Sequence, residues 1–116
     1  MSMNVYITAE RKITFKKKNG KRGGGIQTEK FDAVQTPTKV TYEIVGSSNP
    51  IQAYKDYVKT LSNPEKIPVY AEDDIWGEGE PVGHQDYDWA EEHLQRFDQW
   101  LTTMDEDGYR VKIEVI

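Results

Sequence analysis

Apolar and polar residues alternate at both ends of this chain. The odd positions are apolar from Val5 to Phe15, except at Arg11, and again from Tyr109 to Val115. A period of two places all of these side chains on one face of a strand. Each end is therefore predicted to be a strand with one covered face. The first is either one long strand or two strands joined by a bulge near Arg11.

The segment after the first strand is rich in glycine and basic residues. Residues 16–25 read KKKNGKRGGG, and both the Asn-Gly pair and the consecutive glycines tolerate the positive φ angles of tight turns. A β-hairpin with a basic, flexible tip is predicted here. Its return strand is expected from Ile26 to about Val34.

Two further strands and a loop are predicted in the middle of the chain. Residues 38–45 alternate apolar and polar side chains, which predicts a third strand. A fourth, short strand is predicted at Ile67–Ala71. Residues 72–85 contain three glycines and a proline without any period, so they are predicted to be a loop.

Two helices are predicted from their capped starts. Asn49 can accept hydrogen bonds from free amides, and Pro50 suits the first helical position. Asp88 followed by Glu91 forms a capping-box pattern, from which a long helix runs to Met104. The buried residues are predicted to be Ile51, Tyr54, Val58 and Leu61 in the first helix and Ala90, Leu94, Phe97, Leu101 and Met104 in the second, flanked by Trp89, His93 and Trp100.

Together these elements define an α+β fold. The order β-β-β-α-β-α-β predicts a two-layer sandwich with a mainly antiparallel sheet of about five strands and two helices on one face. The 116 residues suit a single domain that spans the whole chain, 1–116.

The absence of cysteine excludes several classes of protein. The chain cannot be a disulfide scaffold, hold a thiolate metal site or use a cysteine nucleophile. Its start, MSMNVYITAERK, has no long apolar run, and no later stretch approaches the roughly 20 apolar residues of a membrane span. A cytoplasmic protein with no membrane partner is the expectation.

Charged residues are segregated along the chain. Residues 1–30 carry eight basic and two acidic side chains, whereas residues 72–107 carry thirteen acidic side chains opposed only by Arg96. The first segment is therefore near +6 and the second near −12, within a net charge of −5. The acidic segment sets the sign of the far electrostatic field.

The acidic segment mixes its charge with aromatic residues, and Trp76 either anchors an interface or folds back over the core. A tryptophan surrounded by steering charge is typical of protein interfaces. The first hypothesis is a non-enzymatic protein that occupies a basic surface of a partner protein, such as a nucleic-acid-binding groove. By analogy of size and charge, it would be an inhibitor, immunity protein or nucleic-acid mimic of phage or mobile-element type. The residues predicted to bind the partner are Glu72, Asp73, Asp74, Trp76, Glu78, Glu80, Tyr87, Glu91, Glu92 and Asp98.

The basic hairpin supports an alternative function. Such an arm could lie along phosphates and release counterions, which would make the chain an RNA- or single-strand-binding module. The plain structural interpretation is a solvated tip whose charges keep the sheet edge from pairing with other chains. The residues in question are Lys16, Lys17, Lys18, Lys21 and Arg22.

No motif predicts catalysis or a metal site. His84, Asp86, Asp88, Glu92 and His93 lie within ten residues, but their spacing matches neither the helical zinc motif nor a calcium loop. No phosphate-loop, dinucleotide or nucleophile-elbow fingerprint occurs. We therefore expect no metal, no cofactor and no enzymatic activity. A small enzyme with a dispersed site is the third alternative.

Overall fold

This computed structural model describes residues 4–74, 76–77 and 79–115 of the chain. These residues contain eight secondary-structure elements. The predicted α+β class is confirmed, and the described part of the chain has five antiparallel strands, the predicted number, although not all of them lie where they were predicted. The third element is a helix, so the order is β-β-α-α-β-β-α-β. The elements are β1 (Val5–Lys16), β2 (Arg22–Phe31), α1 (Thr38–Val45), α2 (Pro50–Lys59), β3 (Glu65–Val69), β4 (Gly83–Tyr87), α3 (Trp89–Glu106) and β5 (Arg110–Val115).

Three strands form the main sheet, with β1 between β2 and β5. β1 runs antiparallel to both neighbours, and its pairing with β2 is continuous from Ile7 to Lys16. β1 is therefore one long strand without a bulge. Val5, Ile7 and Ala9 are buried on one face, as the alternation predicts.

The core lies between this face of the sheet and the helices. Tyr54 and Val58 of α2 and Phe97 of α3 are fully buried, and the rings of Tyr54 and Phe97 meet edge-on with centroids 5.2 Å apart. Both predicted helices are confirmed, and the side chain of Asn49 caps α2 by accepting a first-turn amide at 3.3 Å. Leu61 is 39% exposed, because α2 ends two residues before it.

His93 lies inside the buried side of α3 and not at its flank, with only 4% of its surface exposed. Its Nε2 is 2.8 Å from the hydroxyl of Tyr54, which also accepts the amide of Val34 at 3.0 Å. Burial lowers the pKa of His93 and raises the pKa of Tyr54 to about 12. Both side chains are therefore uncharged at neutral pH and suited to the core.

Residues 38–45 form the helix α1, so the predicted third strand is wrong. The buried residues Thr41 and Ile44 are three positions apart, whereas Tyr42, which the strand pattern placed inward, is 59% exposed. The hydroxyl of Thr41 donates to the carbonyl oxygen of Pro37 at 3.0 Å, which lets a polar side chain lie in the core. That buried polar residue hides the helical period.

β3 and β4 form a separate two-stranded sheet, so the five strands do not share one sheet. The predicted loop at 72–85 extends too far, because residues 83–87 pair with residues 65–69. β3 also begins two residues before its predicted start.

The glycine-rich segment lies only partly in a turn. The turn of the first hairpin covers residues 17–21, where Gly20 has a φ of 81°. Gly23–Gly25 belong to β2, which begins four residues earlier than predicted. A Cβ atom at Gly23 would lie 2.6 Å from the ring of Phe15, so glycine at this position provides room for an aromatic neighbour on the opposite strand.

Candidate functional site

Two hairpins extend from the packed body of the protein. β1 pairs with β5 only as far as Glu10 but pairs with β2 as far as Lys16, so residues 11–27 form a two-stranded basic arm about 20 Å long. The described residues between 65 and 87 form the acidic arm, whose strands pack chiefly on each other. The molecule measures 66 by 41 by 25 Å, and its radius of gyration is 20.3 Å. A compact chain of this length would have about 13 Å.

The tip of the acidic arm is built around Asp74. Its backbone amide donates to the carbonyl oxygen of Ala71 at 2.9 Å, and its carboxylate accepts the amide of Gly79 at 3.0 Å. Gly77 reverses the chain between them with a φ of 65°. Asp74, one of the residues predicted to bind a partner, therefore also fixes the shape of the tip.

Trp76 does not cover the core. It is the most exposed large apolar residue in the described part of the chain, at 82%, and Val82 on the same arm is 69% exposed. Tyr70 adds a partly exposed ring whose edge lies beside Gly77. Sequence reasoning missed Val82, because an isolated apolar residue in a loop carries no period. It also missed Tyr70, which was predicted to belong to a strand but lies just after the end of β3. The acidic loop residues that are exposed are Glu72, Asp73 and Glu80, whereas Glu78 lies outside the described residues.

The base of the acidic arm is held by Asp88. Its carboxylate accepts hydrogen bonds from the hydroxyl of Ser62 and from the amides of Asn63 and Ala90, the amides at 3.3 and 3.1 Å. These bonds join the end of α2, the start of the arm and the first turn of α3. The Ser62 hydrogen bond is the main reason that the pKa of Asp88 is lowered. Asp88 is thus a structural residue that caps α3, as its sequence predicts.

The remaining predicted residues lie at or beyond the base of the arm. Glu91 and Glu92 are exposed in the first turn of α3, and a hydrogen bond to Glu92 raises the pKa of Tyr87. Asp98 is two turns further along and forms an ion pair with Lys55 at 2.5 Å. The predicted residues therefore form two groups, one at the tip and one on α3, separated by five strand residues or about 17 Å.

The basic arm presents a different surface. Its lysines and its arginine at the tip, Lys16, Lys17, Lys18, Lys21 and Arg22, are all exposed. Arg11 anchors its base by donating to the carbonyl oxygen of Asp107 at 2.8 Å and lying over the ring of Tyr109 at 4.6 Å. The arm is therefore fixed to the body at one end and free to make contacts along the rest of its length.

Two of the residues considered for metal binding have structural roles, and the others are not brought together with them. His93 is bonded to Tyr54 in the core, and Asp88 caps α3, while His84 and Asp86 are exposed on β4. Among the described residues, no three histidine, aspartate or glutamate side chains are grouped so that they could hold a metal ion.

Comparisons of the chain with protein families, with curated proteins and with solved structures find no match. Within residues 4–74, 76–77 and 79–115, no helix is both long enough and apolar enough to cross a membrane. The two arms therefore supply the argument for function.

Proposed function

We propose that this chain is a non-enzymatic protein-binding protein whose acidic arm occupies a basic surface of a partner protein. The observation that carries the proposal is the position of Trp76. The side chain is 82% exposed at the end of a hairpin that projects from the body, within a loop of exposed carboxylates. An aromatic residue held away from its own core has its surface available to another molecule.

The energetics favour a role as an anchor. Burial of a tryptophan removes about 200 Å² from water. At about 25 cal/mol per Å², this contributes up to about 5 kcal/mol, which is the scale of an interface hot spot. Val82 lies on the same arm and enlarges the apolar contact. The bonds around Asp74 fix the shape of the loop before binding, which reduces the entropy lost in the complex.

The surrounding charge defines the kind of partner. Glu72, Asp73 and Glu80 are exposed around the anchor, and carboxylates at this density attract a surface rich in lysine and arginine. A hairpin only two strands wide is narrow enough to enter a groove, and basic grooves are typical of proteins that bind nucleic acids. We therefore propose that the chain acts as an inhibitor, immunity protein or nucleic-acid mimic, and the phage or mobile-element type of this class is an analogy from its size and charge.

The second acidic group extends the contact. Glu91, Glu92 and Tyr87 lie where the arm joins α3, so a partner that receives the whole arm reaches them. Asp98 contributes less, because Lys55 already neutralises it.

Photo-crosslinking at the tip tests the proposal directly. A photoreactive amino acid replaces Trp76 in one variant and Tyr42 in another, since Tyr42 is also exposed, at 59%, but lies on α1. Irradiation in cells of the native host, followed by mass spectrometry, is expected to yield a basic protein from position 76 only. The same products from both positions, or none from position 76, contradict the proposal.

Binding kinetics with the captured partner then separate charge from anchor. Trp76→Ala should mainly speed dissociation, whereas reversal of Glu72 and Glu80 to lysine should mainly slow association, and more so at low salt. Reversal of Asp105 and Glu106, which are exposed at the far end of α3, is the matched control. If the two charge reversals slow association equally, the net charge of the protein attracts the partner and the acidic arm is not a specific site.

A further inference from the structure

One face of the main sheet is bare. The odd-numbered side of β1 faces the helices, so its even-numbered side chains and their cross-strand neighbours point the opposite way. All of these except Thr8 are exposed or half-exposed. Six are basic and two are acidic, which gives this face a charge of +4. The basic residues are Lys12, Lys16, Arg22, Lys30, Arg110 and Lys112, and the acidic ones are Glu10 and Glu114.

A row of three side chains crosses the middle of this face. Thr8 on β1 has Lys30 on one side and Lys112 on the other, with neighbouring strands about 4.8 Å apart. Thr8 is 7% exposed, and its hydroxyl has no hydrogen-bond partner among the described residues. The ammonium group of Lys112 forms ion pairs with Glu10 and Glu114, each at 3.2 Å, so Lys30 is the cation of this row that remains for a phosphate. The unsatisfied hydroxyl of Thr8 is its cross-strand neighbour, and a phosphate oxygen binds cations and O–H donors together.

An aromatic ring lies next to this row. Tyr6 is 37% exposed on the same face, and the ammonium group of Lys30 is 5.6 Å from the centre of its ring. An unpaired base can stack on such a ring while a neighbouring cation holds its phosphate. In the opposite direction, Lys12 and Arg110 line a groove of about 340 Å³ that reaches the basic arm, together with the ion pair of Glu10 and Lys112.

We infer that the bare sheet face, continued by the basic arm, binds single-stranded nucleic acid. Phosphates lie on Lys30 and Thr8 and along the cations of the arm, while a base stacks on Tyr6. The track from Tyr6 to Lys16 is about 34 Å long, enough for several nucleotides. This site lies on the opposite side of the sheet from α3 and its acidic residues, and it goes beyond the proposed function of the acidic arm.

The observations favour a single strand over the other polyanions. A duplex keeps its bases stacked on each other, so it could use the lysines but not Tyr6. An acidic protein could use the charges, but the hydroxyl of Thr8 next to Lys30 matches a compact phosphate better than spaced carboxylates.

Fluorescence anisotropy with oligonucleotides tests the site. The probes are labelled oligouridylate and oligothymidylate of about 12 nucleotides, within the site sizes of single-strand-binding folds, and a duplex of the same length. Binding to single strands is expected, with an affinity that falls as salt rises, and the two single-stranded probes separate RNA from DNA. No binding at low salt, or tighter binding of the duplex, overturns the inference.

A matched pair of triple variants locates the site. Replacement of Lys12, Lys16 and Lys30 by glutamine should weaken binding about 100-fold at about 0.1 M salt and lower the salt slope by about 2. Replacement of Lys39, Lys59 and Lys66 removes the same charge from exposed positions off the sheet face and should leave the slope unchanged. If replacement of Lys17, Lys18 and Lys21 in the turn abolishes binding while the first triple variant does not, the tip binds instead of the face.

Two single substitutions test the centre of the site. Tyr6→Leu should weaken binding at least tenfold, whereas Tyr6→Phe should retain it, because stacking needs only the ring. Thr8→Val keeps the shape of the side chain and should weaken binding about tenfold if the hydroxyl meets a phosphate. Unchanged affinity in both Tyr6→Leu and Thr8→Val contradicts the assignment of this face. The Trp76→Ala variant should bind nucleic acid as the wild type does. A failure of the acidic-arm proposal can therefore be distinguished from a failure of this inference.

Discussion

The two arms are both β-hairpins, but they are attached to the body in different ways. The basic arm is a continuation of β1, the central strand of the main sheet, so its position follows from the packed core. The acidic arm is a two-stranded sheet of its own, and a hairpin of this kind is only marginally stable alone. Its position depends on the hydrogen bonds that Asp88 makes at its base. One arm is held by the core of the protein and the other by a polar clamp.

Emptying the core should loosen the basic arm first. Phe97→Ala removes a fully buried ring from the side of the sheet that supports β1 and should lower the free energy of unfolding by about 3 to 5 kcal/mol. Hydrogen exchange of the β1 and β2 amides should then become faster by the factor that corresponds to the whole loss in the free energy of unfolding. The amides of β3 and β4 should change less, because they open locally in the wild type. Equal acceleration in both arms would show that they share one unit of stability.

The next largest expected effect is a loss of stability of the packed body when the pH is lowered. Burial lowers the pKa of His93 below its ordinary value of 6.5, so the unfolded chain takes up the proton first. Its contribution to stability is complete above pH 6.5 and is lost as the pH falls through the lowered native pKa. Urea denaturation at pH 7.5 and 5.5 should give a lower free energy of unfolding at pH 5.5. NMR titration of His93 against the exposed His84 provides the control.

Loss of the clamp should affect the acidic arm more than the basic arm, although Asp88→Ala also removes the cap of α3. Asp88→Ala removes the acceptor of the Ser62 and Asn63 hydrogen bonds, so limited proteolysis within residues 65–87 should become faster while residues 11–27 stay protected. Asn49→Ala, which removes the cap of another helix, is the matched control. If Asp88→Ala leaves the proteolysis rate unchanged, the arm is held by other contacts.

The same clamp should weaken in acid, at a lower pH than the body. The pKa of Asp88 is lowered from its ordinary value of 3.8, mainly by the Ser62 hydroxyl. Its contribution is therefore complete above pH 3.8 and is lost as the pH falls through the lowered native value. Exchange of the β3 and β4 amides, corrected for the intrinsic rate, should rise only in that range. A rise already near pH 6 would assign the clamp to a different group.

The smallest expected change is a gain in stability. Thr8→Val removes a buried hydroxyl that has no partner among the described residues and keeps the shape of the side chain. The free energy of unfolding should rise by about 1 kcal/mol, because the desolvation cost of the hydroxyl disappears. A fall in stability would mean that the hydroxyl has a partner, such as an ordered water. Asp88 and the acidic arm should be unaffected.

The elements with one covered face could be predicted from the sequence. β5, α3 and the first residues of β1 cover one side and expose the other, so their periods are visible. The alternation of β1 continues into the basic arm, where Phe15 is 48% exposed and the predicted covered face is absent. β4 reads GHQDY and has neither face buried, so its formation rests on backbone pairing with β3 and leaves no period in the sequence. α1 was predicted as a strand because a hydrogen-bonded threonine, Thr41, occupies a core position that hydrophobicity assigns to an apolar residue.

The candidate functional surfaces also divide into features that the sequence shows and features that only the fold brings together. Acidic residues beside a tryptophan and a run of lysines are visible in the sequence, and both lie on exposed hairpins. The row of Lys30, Thr8 and Lys112 joins residues up to 104 positions apart, and only the strand register brings them together. The role of Asp88 as a clamp was equally hidden, because its partner Ser62 lies 26 positions away.

The projecting arms also change how the protein moves through solvent. A compact chain with a radius of gyration of 20.3 Å would contain about 350 residues, three times the 116 present here. A monomer should therefore tumble slowly and leave a gel-filtration column well ahead of compact proteins of 13.4 kDa. Its elution volume alone would be mistaken for that of an oligomer, whereas light scattering measures mass without reference to shape.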